Sequence, residues 1–193
     1  MTLPTKLTIL RILLTFLIMA LLFAPGPMAK GWCLGLFLLA AVTDWWDGLL
    51  ARRLNQISAL GVLLDPIADK IFVLGLLLVF VQLRLLPAWM VLVVLIRELL
   101  ITGIRLYAVS RQVVIPAARE GKHKTISQML TILLVLSLLF LRDLLGRGTD
   151  PAFEGWMSRA ILWAMWVTVA LTVYSGATFF WKNRTILHDA VTR

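Results

Sequence analysis

Residues 43–70 read TDWWDGLLARRLNQISALGVLLDPIADK, and four aspartates stand there within largely apolar sequence. Asp44 and Asp47 are three residues apart, and Asp65 and Asp69 are four apart. On a helix, residues at these spacings share one face about one turn apart. The short connection between the two pairs predicts a turn, so that the end of one helix lies beside the start of the next. We therefore expect four carboxylates to converge from two neighbouring helices.

The rest of the chain has the composition of a membrane protein. Of its 193 residues, 61% are hydrophobic and 15% are charged, whereas soluble proteins average about 25% charged residues. A helix needs about 20 mostly apolar residues to cross a bilayer. The apolar stretches are residues 8–24, 31–51, 61–82, 88–109, 124–141 and 158–181. We predict an all-α integral membrane protein with six transmembrane helices, forming a single domain over residues 1–193.

The basic residues predict the orientation in the membrane. The formal net charge is +9, and lysine and arginine accumulate in cytoplasmic loops. With the N-terminus inside, most of the 19 basic residues face the cytoplasm, and so do both termini and the aspartate cluster. We expect an inner-membrane protein whose active site faces the cytoplasm. Nucleic acid is not expected as a partner, because the bases flank apolar runs and are not interleaved with aromatic residues.

The aspartates need compensation within a membrane. One aspartate near the bilayer centre costs about 2.5–3.5 kcal/mol, and Arg52 and Lys70 neutralise only part of the charge. Oxygen ligands without His or Cys nearby favour Mg²⁺ or Mn²⁺, and Mg²⁺ commonly binds a few carboxylates together with substrate phosphates. Gly48, Ala51 and Gly61 surround the acids, and small residues let a ligand approach closely. The pattern indicates phosphate chemistry; the alternative is a set of solvated aspartates that cap helices.

These residues form a recognisable signature. The pattern Asp44-x2-Asp47-Gly48-x2-Ala51-Arg52-x8-Gly61-x3-Asp65-x3-Asp69 resembles that of the CDP-alcohol phosphatidyltransferase family. Three further segments resemble the bacterial phosphatidylglycerophosphate synthases within that family, although Thr5 stands where many relatives have Asn. These segments are Leu3 to Thr8 with Arg11, Ile96 to Glu98 with Arg105, and Gly121 to Thr125 with Gln128. The last third of the chain offers only apolar helix and adds nothing to the resemblance.

The resemblance implies a cytoplasm-facing cavity, two divalent metal ions and often a homodimer. It also implies a reaction in which CDP-diacylglycerol and sn-glycerol 3-phosphate give phosphatidylglycerol phosphate and CMP. In that reaction Asp44, Asp47 and Asp65 hold the metals, while Asp69 contributes to the metal site and acts as general base on the glycerol hydroxyl. The implied CDP-diacylglycerol site includes Gly48, Ala51, Arg52 and Gly61, with Gly48 and Arg52 contacting the cytidylyl part.

The acceptor carries a phosphate dianion, which needs several cationic partners. Arg105 and Lys124 are the first candidates for binding glycerol 3-phosphate, followed by Arg97, Arg111 and Lys122. The competing interpretation for each of them is anchoring of a cytoplasmic loop. Arg97 also has a local partner within reach, because Glu98 follows it directly.

Three alternatives remain open. A sister transferase of the same family would use another acceptor, as cardiolipin, phosphatidylserine and phosphatidylinositol phosphate synthases do. A cation transporter would also place carboxylates within a membrane, but it needs acidic residues reaching both faces. The predicted first, fourth, fifth and sixth spans contain no acidic residue in their apolar cores except Glu98. An inactive scaffold is disfavoured by the complete set of aspartates.

Overall fold

The computed structural model describes the backbone of residues 3–54, 59–110, 120–146 and 150–184, and the side chains of residues 8–43, 67–109, 123–146 and 150–184. Within these ranges the chain is helical, without a strand. The helices are α1 (Leu3–Phe23), α2 (Pro27–Leu54), α3 (Ala59–Gln82), α4 (Ala88–Ser110), α5 (Glu120–Leu144) and α6 (Pro151–Lys182). Each of α2 to α6 contains one of the predicted apolar stretches, and α1 contains all but the last residue of the first stretch. In the described ranges this confirms the all-α prediction.

Several helices extend beyond the apolar stretches, because polar residues also form their ends. The clearest case is α6, which begins at Pro151 and not near residue 158. The Asp150 Oδ1 atom accepts hydrogen bonds from the backbone N–H groups of Ala152 and Phe153, at 3.0 and 3.4 Å. This is an N-cap, and proline is favoured directly after an N-cap because its missing N–H has no partner there in any case.

The surface of the bundle is typical of a membrane protein. Two described segments, His123–Leu144 and Pro151–Lys182, are long and apolar enough to cross a membrane. The 22 residues of the first extend about 33 Å, which matches a hydrocarbon core of about 30 Å. The apolar segments Thr8–Phe23 and Pro27–Thr43 are shorter. Large apolar side chains point outward, and Trp163 is 72% exposed, as expected where lipid replaces water.

The core lies between all the helices. It includes Ile18 and Leu22 of α1, Phe37 of α2, Leu76 and Phe80 of α3, Met90 of α4, Leu136 of α5 and Ile161 of α6. Among the described residues, α1 packs on α2 and α3, α5 packs on α2, α3 and α6, and α4 packs on α3 and α6. A Cβ atom at Gly75 would approach Met19 Sδ to 3.2 Å, so glycine permits the close contact of α3 with α1.

A buried lysine at the start of α2 stabilises the end of α1. Lys30 is 6% exposed, and its ammonium donates hydrogen bonds to the carbonyl oxygens of Leu22 and Ala24. These carbonyls lie at and just beyond the end of α1, where the helix leaves carbonyls without an intrahelical partner and where positive charge is favourable. The turn itself uses Gly26, whose φ of +96° favours glycine.

Candidate active site

The predicted acidic residues lie on two consecutive helices. Asp44 and Asp47 belong to the last turns of α2, and Asp65 and Asp69 belong to the first turns of α3. The side chain of Asp69 is described and is exposed. The side chains of Asp44, Asp47 and Asp65 lie outside the described residues, so the convergence of the four carboxylates stays a prediction. The same holds for Gly48, Ala51, Arg52 and Gly61 on these helices, for Lys122 of α5 and for Arg111.

Two of the candidate acceptor bases meet at a single carboxylate. Arg97 and Glu98 belong to α4, and Lys124 belongs to α5. The ammonium of Lys124 forms an ion pair with Glu98 Oε1, and Arg97 Nη1 lies 3.2 Å from the same oxygen. The predicted pairing of Arg97 with its neighbour is therefore confirmed, and Lys124 joins it from another helix.

Arg97 is held at both ends of its guanidinium group. While Nη1 contacts Glu98, Nη2 donates a hydrogen bond of 2.7 Å to Ser175 Oγ on α6. Ser175 is 3% exposed. Sequence reasoning missed this residue because it treated the last third of the chain as apolar helix. The available signal was the spacing of Thr168, Thr172 and Ser175, which places three hydroxyls on one face of α6.

Charges from α3 complete this cluster. Lys124 interacts electrostatically with Asp69 and Lys70, and Lys70 interacts with Arg105 of α4. The structure thus brings the predicted base Asp69 to the same end of the bundle as Arg97, Arg105 and Lys124. We call this group the charge cluster: Asp69, Lys70, Arg97, Glu98, Arg105 and Lys124. It contains more cationic than acidic side chains, so its field attracts anions.

Arg105 is placed by an aromatic ring and retains an unused donor. Its guanidinium carbon lies 5.6 Å from the centre of the Phe179 ring, within the range of a cation–π contact. Within the described part of the chain, the buried Nε atoms of Arg105 and Arg97 have no hydrogen-bond partner. Since buried donors are rarely left unpaired, such groups are suited to receive the oxygens of an anion.

A column of polar residues continues from the charge cluster along the contact of α5 with α6. The hydroxyls of Thr131 and Thr168 lie 2.9 Å apart. One turn nearer the charge cluster on each helix, Gln128 Nε2 and Thr172 Oγ1 are buried without a partner in the described region. The polar face of α5 that ends in Lys124 is therefore matched by a polar face of α6, which sequence reasoning did not predict.

The chemistry of the predicted donor set fits a divalent cation. Four carboxylates supply only oxygen ligands, which hard ions such as Mg²⁺ and Mn²⁺ prefer. Among the side chains that the structure describes, no group of three His, Cys, Asp or Glu residues is placed to hold a metal ion. Three of the four predicted ligands fall outside those side chains, so the two-metal site stays a prediction.

Comparison with known proteins identifies one family and three similar proteins. The profile of the CDP-alcohol phosphatidyltransferase family matches residues 1–174. The CDP-diacylglycerol--glycerol-3-phosphate 3-phosphatidyltransferase of Bacillus subtilis (strain 168) is 37% identical over 94% of each chain, and the protein of the same name from Rickettsia prowazekii (strain Madrid E) is 32% identical over 92% of this chain and 93% of its own. A cardiolipin synthase (CMP-forming) of Streptomyces coelicolor is 43% identical over 101 residues, which are 51% of this chain and 47% of that protein.

Proposed function

Because the chain belongs to the CDP-alcohol phosphatidyltransferase family, we propose that it transfers the phosphatidyl group of CDP-diacylglycerol to sn-glycerol 3-phosphate. The products are phosphatidylglycerol phosphate and CMP, so the enzyme serves phospholipid biosynthesis. Two relatives named for this reaction match more than nine-tenths of the chain, which supports the choice of acceptor. The observation on this chain that carries the proposal is the charge cluster, where an aspartate lies beside several cationic side chains.

The reaction requires one proton transfer and one bond exchange. A hydroxyl oxygen of glycerol 3-phosphate forms a bond to the phosphorus that carries the diacylglycerol group, and the bond from this phosphorus to the oxygen of CMP breaks. Asp69 accepts the proton of the attacking hydroxyl as general base. Its exposed position in the charge cluster supports this role, because a base must be accessible to the acceptor.

Asp44, Asp47, Asp65 and Asp69 are the residues that would hold two divalent ions, Mg²⁺ or Mn²⁺. Bound ions neutralise the diphosphate and stabilise the leaving CMP. Arg52, on the same helix as Asp44 and Asp47, supplies a guanidinium group that suits two parallel hydrogen bonds to phosphate. Gly48, Ala51 and Gly61 complete the CDP-diacylglycerol site by leaving room for the nucleotide.

The acceptor phosphate binds at the cationic side of the charge cluster. Arg105 and Lys124 are the main contacts, and Arg97 supports them. Further contacts come from Arg111, which follows α4 in the sequence, and from Lys122 of α5. Two facts support this assignment: Arg105 has a buried Nε without a partner in the described region, and Lys124 lies 7% exposed beside Asp69. Charge-assisted hydrogen bonds from such groups are the usual means of holding a phosphate dianion.

The same charges support a proposed placement of the protein in its membrane. All six helices cross the inner membrane, both termini lie in the cytoplasm, and the active site opens to the cytoplasm. The charge cluster lies at the end of the bundle where residues 111–119 connect α4 to α5, and this connection contains Arg111 and Arg119, which supports this orientation. We propose that the functional unit is a homodimer. The molar mass of the purified protein in detergent, measured by light scattering, tests this directly.

The second candidate is a cardiolipin synthase, in which phosphatidylglycerol replaces glycerol 3-phosphate as acceptor. The observation that favours it is the similarity to the Streptomyces coelicolor protein, whose identity of 43% extends over half of this chain. That alignment covers 51% of this chain and 47% of the Streptomyces coelicolor protein. The match to the phosphatidylglycerophosphate-forming relatives extends over nearly the whole chain, so glycerol 3-phosphate is preferred.

An acceptor assay tests the proposal. Purified protein in detergent is incubated with CDP-diacylglycerol and Mg²⁺, together with glycerol 3-phosphate, phosphatidylglycerol, serine or inositol phosphate in separate reactions. CMP release and the lipid product are measured in each. We expect CMP release and formation of a lipid product only with glycerol 3-phosphate. Release of CMP with another acceptor and none with glycerol 3-phosphate would contradict the proposal.

A further inference from the structure

Glu98 occupies a position that the proposed reaction does not explain. Its carboxylate is 13% exposed and uses one oxygen, Oε1, for both Arg97 and Lys124. α4 packs on α3 and α6, whereas α5 packs on α2, α3 and α6, so the pair formed by Glu98 and Lys124 connects one helix to the other. The carboxylate therefore fixes where the ammonium of Lys124 lies relative to α4.

The charges around Glu98 argue against simple neutralisation. One carboxylate serves two cations, and Lys70 and Arg105 add further positive charge to the same cluster. Among the described side chains, the cluster has four cationic members and two acidic ones, so an excess of positive charge remains there after both ion pairs have formed. An acid placed only to cancel buried charge would be expected to balance it, since an uncompensated buried charge is costly. The excess leaves the cluster able to bind an anion.

The donors that remain free distinguish the roles of the bases. Both terminal nitrogens of Arg97 are occupied, by Glu98 and by Ser175. Lys124 has three ammonium protons and directs one of them to Glu98. Lys124 therefore keeps two ammonium protons for a ligand. Arg97 keeps only its buried Nε without a partner in the described region, and its two terminal nitrogens are fixed by Glu98 and Ser175, so its main role is to hold the carboxylate of Glu98 in place.

We propose that Glu98 is a positioning residue that orients Lys124 towards the phosphate of the acceptor. Arg97 and Ser175 hold Glu98 in place for this role. This inference rests on the proposed function, since it concerns the glycerol 3-phosphate site. It assigns phosphate contact to Lys124 and Arg105 and gives Arg97 a supporting role. Glu98 itself is acidic and does not contact the phosphate dianion.

The direction of the change in KM tests the proposal. Glu98→Gln keeps the shape of the side chain and removes its charge. If Glu98 only weakened the positive field, its loss would lower KM for glycerol 3-phosphate. If Glu98 orients Lys124, KM for glycerol 3-phosphate rises by roughly tenfold, about 1.4 kcal/mol, while KM for CDP-diacylglycerol stays unchanged and kcat changes by less than about threefold. Glu154→Gln, at the other end of the bundle, serves as control and leaves all three constants unchanged.

A double-mutant cycle tests whether Glu98 acts through Lys124. Lys124→Met is combined with Glu98→Gln, and KM for glycerol 3-phosphate is measured for both single variants and the double variant. Residues that act as one unit are strongly non-additive, so the double variant should be no worse than Lys124→Met alone. Additive effects, or a wild-type KM in folded Glu98→Gln, would overturn the proposal. If Glu98→Gln does not fold, Ser175→Ala replaces it. We then expect KM for glycerol 3-phosphate to rise by roughly threefold, about 0.7 kcal/mol, and an unchanged KM would count against the proposal.

A binding measurement separates this proposal from the proposed function. The thermal unfolding of wild type and Glu98→Gln is followed with and without sn-glycerol 3-phosphate, in the absence of CDP-diacylglycerol. We expect the ligand to raise the Tm of wild type and to raise that of the variant much less. Wild type that is stabilised but releases no CMP would contradict the proposed function alone. Equal stabilisation of both proteins contradicts the role of Glu98, and wild type that is neither stabilised nor active contradicts both.

Discussion

The ring of Phe37 in α2 stacks on the ring of Phe72 in α3, with centroids 5.5 Å apart and planes inclined by 10°. Both side chains are buried. Offset aromatic pairs of this kind add about 0.5–1.5 kcal/mol beyond the burial of their area. The pair therefore fixes the two helices that carry the aspartates side by side, at a defined height in the bundle.

The register from this pair supports the convergence of the acids. Asp44 follows Phe37 by seven residues on α2, and Asp65 precedes Phe72 by seven on α3. Seven residues are just under two helical turns, about 10 Å along the axis. Because consecutive helices joined by a short connection run in opposite directions, this register predicts Asp44 and Asp65 at the same height above the stacked rings.

The first prediction concerns the forked geometry of Arg105. Replacement of Arg105 by lysine keeps the charge but removes the planar group that makes two parallel hydrogen bonds to phosphate. We expect KM for glycerol 3-phosphate to rise by roughly tenfold, about 1.4 kcal/mol. Initial rates at saturating CDP-diacylglycerol measure it. Arg159→Lys, exposed on α6, is the matched control, and an equal effect in both variants would exclude a specific role for Arg105.

The second prediction concerns the buried hydroxyls between α5 and α6. Thr172 Oγ1 has no partner within the described part of the chain, so Thr172→Val should leave stability unchanged or raise it. Thr131→Val should lower the free energy of unfolding by about 1 kcal/mol, because Thr131 shares a hydrogen bond with Thr168. Thermal unfolding of both variants in the same detergent measures the contrast. Greater destabilisation by Thr172→Val would show that its hydroxyl is paired.

The third prediction concerns Lys30, at the opposite end of the bundle from the charge cluster. Lys30→Met removes charge-assisted hydrogen bonds to the carbonyls of Leu22 and Ala24. We expect the free energy of unfolding to fall by about 1.5–3 kcal/mol, with the activity of the remaining folded protein unchanged. Arg84→Gln changes an exposed cation at the same end and is the control. A Lys30→Met protein as stable as wild type would show that the lysine does not stabilise the end of α1.

The fourth prediction concerns topology. Cys33 is the single cysteine of the chain and is buried, so a Cys33→Ala protein provides a background for new labelling sites. In intact cells, a membrane-impermeant maleimide should label Ala152→Cys at the start of α6 and should label Lys182→Cys at its end only after permeabilisation. The reverse pattern would invert the proposed orientation.

Hydrophobicity predicted the helices well, because each apolar stretch is long and bounded by glycine, proline or polar residues. It located the start of α4 at Ala88 but not the start of α6. α6 starts at the cap formed by Asp150, and an aspartate followed by proline is a local signal that could have located this start. Hydropathy counts side-chain polarity and does not register the backbone hydrogen bonds that extend a helix.

Several members of the candidate site were predicted, but their individual contacts were predictable only between residues that are close in sequence. The pairing of Arg97 with Glu98 was expected because the residues are adjacent. Its contact with Ser175 joins residues 78 positions apart, and no local pattern encodes such a distance. Lys30 donates to backbone carbonyls. Because every residue has such a carbonyl, the sequence does not indicate which ones Lys30 contacts. Such contacts depend on how the helices pack.

The dependence of CMP release on divalent ions and on Asp69 tests the central claim most directly. Wild type and Asp69→Asn are compared with CDP-diacylglycerol and glycerol 3-phosphate, in the presence of Mg²⁺ and after its removal by a chelator. We predict that wild type releases CMP only with the ion, and that folded Asp69→Asn is slower by about 10²–10⁴-fold, the usual contribution of a general base. Asp143→Asn, at the other end of the bundle, should match wild type. CMP release by Asp69→Asn at the wild-type rate, or by wild type without divalent ions, would contradict the account.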